Sequence, residues 1–238
     1  MGSLNPGQMF EDMHEKSRRL PVYLMLDTSG SMDGQPIADV QSGINTMLTG
    51  LRGLTSERQD TIYIKVIQFN DTVNTTPLTA LRGFSPPSLV AQGTTHLGDA
   101  LRVLDQATTY SGDLIKNSID DLGDWKPMVF LLTDGEPTDD YQAPAAAILK
   151  RTREHSTPFA PNLNVFAIGC GPYVNSATLH LVTDNVLMMP TMKPAHMAEL
   201  FKWMTATLGN VTRKITVPGA AEEVATEVPA PPPFMIRS

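Results

Sequence analysis

A doubly wound α/β fold is the architecture this chain predicts: a mostly parallel six-stranded sheet with one antiparallel strand, and helices on both faces. Three observations predict it. Short wholly apolar runs, Leu24-Met25-Leu26 and Met128-Val129-Phe130-Leu131-Leu132, have the continuous hydrophobicity of strands covered on both faces, not the alternation of a half-exposed sheet. Segments of strand and helix character alternate along most of the chain, which puts parallel strands under crossover helices. Both runs lead into a carboxylate, Asp27 and Asp134, at the edge where open α/β sheets collect their ligands.

The elements follow in order. Residues 1–19 are polar and mixed, with Asn5-Pro6-Gly7 as a breaker and only a weak helical pattern over 9–18. The first strand is expected over 21–26. Residues 36–51 read as an amphipathic helix, with Ile37, Val40, Ile44, Leu48 and Leu51 on one stripe and Pro36 suited to its first turn. A strand rich in β-branched residues follows over 61–69. The Asn70-Asp71 turn is so short that the next strand, 72–81, must pair with it antiparallel. Helices are expected over 97–109 and 113–122, the second ended by Gly123. The strand at 128–132 leads to a helix over 143–155, which Pro158 and Pro161 keep from continuing. A strand at 163–168, a Gly169-Cys170-Gly171-Pro172 turn, a short helix at 175–182 and a short strand at 186–189 come next. The helix over 194–208 carries Met197, Leu200, Phe201, Met204 and Leu208, most simply as core. Past Val217 the composition turns to Pro, Ala and Glu. Such a tail has little apolar surface to offset ordering entropy and is expected to be extended or unstructured. The division is an N-terminal extension over 1–18, a domain over 19–210 and a tail over 211–238.

Bulk numbers narrow the function. With 238 residues, 41% hydrophobic and 18% charged, the chain has ample material for one core. A net charge of −7 argues against nucleic acid as a partner, since neutralising phosphates needs a basic face. Cys170 is the single cysteine, which excludes an internal disulfide and suits a reducing compartment. No apolar run is long enough to span a bilayer, and the first residues lack the basic-then-apolar pattern of a signal peptide. A cytoplasmic protein without membrane contact is expected.

Three separated segments carry the chemistry. Asp27-x-Ser29-x-Ser31 follows the first strand, Gly93-Thr94-Thr95-His96-Leu97-Gly98 opens a helix, and Asp134 sits in Thr133-Asp134-Gly135. Taken singly, Asp27 is a cap or turn residue and the serines are turn residues. Together, two carboxylates and three hydroxyls make a hard oxygen set for a divalent cation, incomplete enough to leave a position for water or an outside carboxylate. Asp139 and Asp140 read as first-turn caps of the helix that follows them. His14, His96, His155, His180 and His196 show no paired ligand spacing, and Cys170 has no base placed to make it a nucleophile.

This order of motifs resembles a von Willebrand factor A domain with its metal-ion-dependent adhesion site, over roughly residues 19–210. More narrowly, Arg18-Arg19-Leu20-Pro21-Val22-Tyr23-Leu24, the run from Trp125 to Asp140, Ile168-Gly169-Cys170-Gly171-Pro172 and Phe201-Lys202-Trp203 resemble the bacterial tellurium-resistance branch of TerY-like proteins. The resemblance implies that Asp27, Ser29, Ser31, Thr95 and Asp134 bind the metal directly or through water. The cation is expected to be Mg²⁺, with Mn²⁺ or Ca²⁺ as alternatives. Thr95 is chosen over Thr94 because the family's Gly-Gly-Thr-x-Leu-Gly loop aligns its Thr there; this chain has Thr94 at the second Gly. The implied function is non-enzymatic: a monomeric interaction module whose cation is completed by a Glu or Asp of a partner protein, in tellurite or stress resistance. A protein kinase or a PP2C-type phosphatase of that system is the expected partner.

Two other readings stand beside it. An Asp at a strand's carboxyl end with Mg²⁺ also describes aspartyl-phosphate phosphatases, with Asp27 as nucleophile. That chemistry needs a second Asp two residues on, where this chain has Ser29, and no suitably placed Lys is evident. Separately, Glu222, Glu223 or Glu227 of the acidic tail could serve the metal site as a placeholder ligand.

Overall fold

The structure, a computed structural model, describes residues 18–117, 123–216 and 228–238. Strand β1 (Leu20–Asp27) is buried at every position, as its unbroken hydrophobicity requires. A short 3-10 turn (Gly30–Met32) follows it, then α1 (Gln35–Arg52), α2 (Ser56–Thr61), β2 (Ile62–Phe69), β3 (Val73–Thr75), β4 (Thr79–Ala80), α3 (Leu97–Ala107), β5 (Met128–Thr133), α4 (Gln142–Arg153), β6 (Asn164–Cys170), α5 (Ser176–His180), β7 (Val186–Met189), α6 (Pro194–Ile215) and β8 (Ile236–Arg237). The sheet order is β3-β2-β1-β5-β6-β7-β8, with β4 also on β2. β2, β1, β5, β6 and β7 are mutually parallel, and β3, β4 and β8 are antiparallel.

Side chains alternate between two cores across the sheet. Leu20, Val22, Leu24 and Leu26 of β1 and Met128, Phe130 and Leu132 of β5 face α1 and α6. Tyr23, Met25, Val129 and Leu131 face α3, α4 and α5. Helices on both faces explain why each central strand is apolar throughout.

The six expected strands are present; one of them is split in two, and β8 brings the sheet to eight. The expected hairpin strand over 72–81 is broken into β3 and β4, both on β2. The short α2 was not anticipated; its Ser-Glu-Arg-Gln-Asp-Thr sequence carries no apolar stripe. Within 113–117 there is turn and irregular backbone and no helix, and 118–122 lie outside the described residues, as do 9–17. Here Asp113 accepts a 2.8 Å ion pair from Lys65, and Leu114 is buried, so tertiary contacts hold this segment in place of helical ones. Asp124 takes two 2.7 Å bonds from Arg19 and Arg18 lies 3.9 Å over the Trp125 ring, fastening the start of β1 to the approach to β5.

The tail also contributes to the fold. Residues 217–227 lie outside the described residues, but residues 228–238 pack on the domain: Met235 is 6% exposed and β8 pairs with β7. Phe234, Met235 and Ile236 supply the apolar surface that the Pro- and Glu-rich composition around them obscures.

Candidate metal centre at the carboxyl edge of the sheet

Strand order reverses between β1 and β5, since successive strands step one way from β1 and the other way from β5. A crevice opens at such a switch point, beyond the strands' carboxyl ends. Asp27 ends β1 and Asp134 directly follows β5, so both carboxylates are delivered to it by adjacent strands.

The loops that complete the site are fixed by backbone bonds. Thr28 N–H donates to Phe69 O at 2.8 Å, Gly30 N–H to Gly93 O at 3.0 Å, Gln92 N–H to Thr28 O at 2.9 Å and His96 N–H to Asn70 O at 2.8 Å. Gly93 has φ +70, and a Cβ there would meet the Asp71 carboxylate at 2.7 Å, so only glycine lets the Thr95 loop come this close.

Within this frame Asp27 Oδ1 accepts from Ser29 N–H at 2.9 Å and Oδ2 from Thr133 Oγ1 at 2.5 Å. The hydroxyls of Ser29 and Ser31 lie 3.0 Å apart, and Ser31 Oγ donates to Asp134 Oδ1 at 2.7 Å. Gly135 leaves space beside them: a Cβ on it would sit 3.7 Å from Thr95 Oγ1 and 3.9 Å from Ser31 Oγ. Hydrogen bonds thus connect Asp27, Ser29, Ser31 and Asp134, and Thr95 Oγ1 borders the space beside Gly135. Thr95 is buried while Thr94 is exposed, and it is the Thr95 hydroxyl that a Cβ on Gly135 would approach.

The electrostatics are unbalanced. Asp27 is 1% exposed and Asp134 7%. Burial raises the Asp27 carboxyl above its ordinary range against the bonds from Ser29 and Thr133. Burial also raises Asp134, and the neighbouring Asp27 charge adds to it. Among the described residues no basic side chain contributes to either group. Two buried carboxylates, three hydroxyls and no cationic partner are the donor set a hard divalent ion fits, and Ser31, on the exposed rim, leaves the cluster open to solvent.

A family model for the von Willebrand factor type A domain matches residues 22–189. The chain belongs to that family. Solved structures agree on the fold. Proximal thread matrix protein 1 from the mussel byssus is similar at 18% identity and TM-score 0.56, over 82% of this chain and 49% of that one. The ArnB paralog VWA2 from Sulfolobus acidocaldarius is similar at 18% and 0.52, over 77% and 45%. The pilus adhesin SpaC from Lactobacillus rhamnosus GG, in its open conformation, is similar at 17% and 0.53, over 84% and 30%. The chain thus spans from under a third to half the length of these structures. No curated protein matches it. Among the described residues no helix is long and apolar enough to cross a membrane.

Several positioning residues of this VWA domain escape a reading of the sequence. Thr133 holds Asp27 across two strands. Thr138 locks the Thr95 backbone, its N–H donating to Thr95 O at 2.9 Å and its Oγ1 accepting from Thr95 N–H at 3.1 Å. Glu136 ties in the next loop, accepting from Asn175 N–H at 2.6 Å and Thr178 Oγ1 at 2.8 Å. The only available signal was their nearness to Asp134 in the sequence.

Asp139 corrects an expectation. It caps α3, not the helix that follows it: its two oxygens accept from Gly98 N–H at 3.0 Å and Asp99 N–H at 2.9 Å. His96, Asp99 and Asp139 bring ligand atoms within 4.8 Å of one another. Both Asp139 oxygens serve the positive end of the helix, and Arg102 already pairs with Asp99 at 2.7 Å, so this cluster is neutralised from within. Replacing Asp139 by Ala is expected to cost about 1–2 kcal/mol in urea denaturation, through loss of a helix cap.

Proposed function

We propose that this VWA domain is a non-enzymatic interaction module in which Asp27, Ser29, Ser31, Thr95 and Asp134 hold a divalent cation, Mg²⁺ foremost, that an Asp or Glu of a partner protein completes. The supporting observation is the paired buried carboxylates of Asp27 and Asp134, set among hydroxyls without a basic partner and open at Ser31. The bound ion would supply Lewis-acid affinity for a carboxylate; the protein's part is to hold hard oxygens at a solvent-facing edge. Phosphatase chemistry is disfavoured by the same geometry. Both Asp27 oxygens accept hydrogen bonds from within the protein, and Ser29 stands where the acid/base carboxylate would have to be. Cys170 is no substitute nucleophile, because burial pushes its thiol well up.

The resemblance to TerY-like proteins supports a cytoplasmic role in tellurite or stress resistance, as a monomer, with an associated protein kinase or PP2C-type phosphatase as partner. The test is a pull-down from the native cell with and without EDTA, comparing wild type with Asp134→Ala. A partner retained by wild type and lost on chelation and in the variant supports the reading; equal capture in all arms refutes it.

The rim offers more than the ion. Tyr173 follows β6 at the same sheet edge and is 80% exposed, on the loop that Glu136 anchors. Tyrosine at an interface contributes large contact area at low entropic cost. Tyr173→Ala is expected to weaken partner binding about tenfold, a loss of about 1.4 kcal/mol. The melting-temperature rise with Mg²⁺ should be unchanged, separating partner contact from cation binding.

A further inference from the structure

Residues 228–238 sit on the domain as a bound peptide would. β8 adds antiparallel to the edge strand β7, pairing Arg237 with Leu187 and Ile236 with Met188, and Ser238 N–H donates to Val186 O at 3.2 Å. Trp203 of α6 donates its indole N–H to Pro229 O at 3.0 Å. Phe234 stacks on His196, with ring centroids 4.1 Å apart and planes 6° from parallel. Met235 is buried in the core that includes Phe166, Leu187 and Trp203.

The strand pairing itself is short. Its ladder is two residues long, and Ile236 is 59% exposed. A cavity of ≈ 110 Å³ remains under its end, lined by Phe166, Asp184, Asn185, Trp203 and Arg237 among others. The family match ends at residue 189, the end of β7, before the segment that carries β8. Residues 217–227, which join it to α6 in the sequence, lie outside the described residues.

We propose that the groove between β7 and α6 is a second docking site. It takes an extended partner segment with aromatic, thioether and aliphatic side chains in succession, and the chain's own Phe234-Met235-Ile236 fills it as a displaceable occupant. Strand addition supplies affinity through the backbone, while the Met235 and Phe234 positions supply selectivity. A tethered occupant acts at millimolar effective concentration, and a competitor's apparent affinity falls by the fraction of sites left open.

The test uses the full chain and a fluorescein-labelled peptide of residues 228–238, read by fluorescence anisotropy in EDTA so that the metal reading does not enter. The Phe234→Ala/Met235→Ala chain is expected to bind the peptide at least tenfold more tightly than wild type, as a 1:1 complex of monomer by sedimentation. A cooperatively melting variant that binds no better than wild type overturns the proposal. Concentration-dependent dimerisation of wild type through exchanged segments also overturns it, making a second copy the occupant. Hydrogen exchange on the unaltered chain gives an independent reading. Residues 228–238 should exchange far faster than β5; equal protection would make the segment an integral strand and overturn the proposal.

Discussion

Saturating Mg²⁺ is expected to raise the melting temperature of the wild-type chain by about 5–10 °C, and Asp134→Ala to abolish that rise. A ligand at a hundred times its dissociation constant stabilises the folded state by about 2.7 kcal/mol, and a chain of this size shifts by about 2–4 °C per kcal/mol. The physical cause lies in the carboxylate pair. Asp27 and Asp134 are both raised by burial, and Asp134 is raised further by its neighbour's charge. Each therefore opposes folding at neutral pH while ionised and uncompensated. A bound cation would turn this repulsion into attraction. The same argument gives a less obvious result: in EDTA, Asp134→Ala should melt at or above wild type, because it removes one of two facing charges and costs only the bond from Ser31. Scanning calorimetry of both proteins with and without Mg²⁺ decides it. A wild type indifferent to Mg²⁺, Mn²⁺ and Ca²⁺ removes the basis for the proposed metal centre.

The parts of this molecule visible in its sequence are those whose cause is local. β1 and β5 declare themselves by unbroken hydrophobicity, because each is sandwiched between helix layers. The stripe from Val40 to Leu51 announces α1 by its period, and the five oxygen-bearing residues announce their meeting through order and strand context. What stayed hidden depends on distant partners. Asp139 looks like the start of the nearest helix, yet it caps one that begins 42 positions earlier in the chain. Thr133 and Glu136 are ordinary residues until Asp27 and Asn175 arrive beside them. The docked tail is hidden for a similar reason. Three apolar residues in a Pro-rich segment fall below any compositional threshold, and only an open edge at β7 gives them a place.

Gly43→Ala tests the packing that this sheet depends on, and two physical effects predict opposite signs. Gly43 lies within α1, where alanine is favoured over glycine by about 1 kcal/mol. Propensity alone would therefore make the substitution stabilising. Gly43 is also where α1 and α6 touch: a Cβ there would lie 2.0, 2.4 and 2.6 Å from three carbons of the Phe201 ring. Phe201 is fully buried, packed in the core beneath both helices, so the ring cannot simply swing aside. Overpacking of this kind costs about 1–3 kcal/mol, and the contact is far inside van der Waals range, so the clash wins. Gly43→Ala is expected to lower stability by about 2 kcal/mol net in urea denaturation. Gly50→Ala, two turns on, meets chiefly one methyl of half-buried Thr205 at 2.8 Å and should come out near neutral. Phe201→Leu in the Gly43→Ala background should restore part of the loss, a coupling of about 1–2 kcal/mol between the two positions. A stabilising Gly43→Ala would mean that α1 and α6 lie farther apart than the distance between Gly43 and Phe201 indicates.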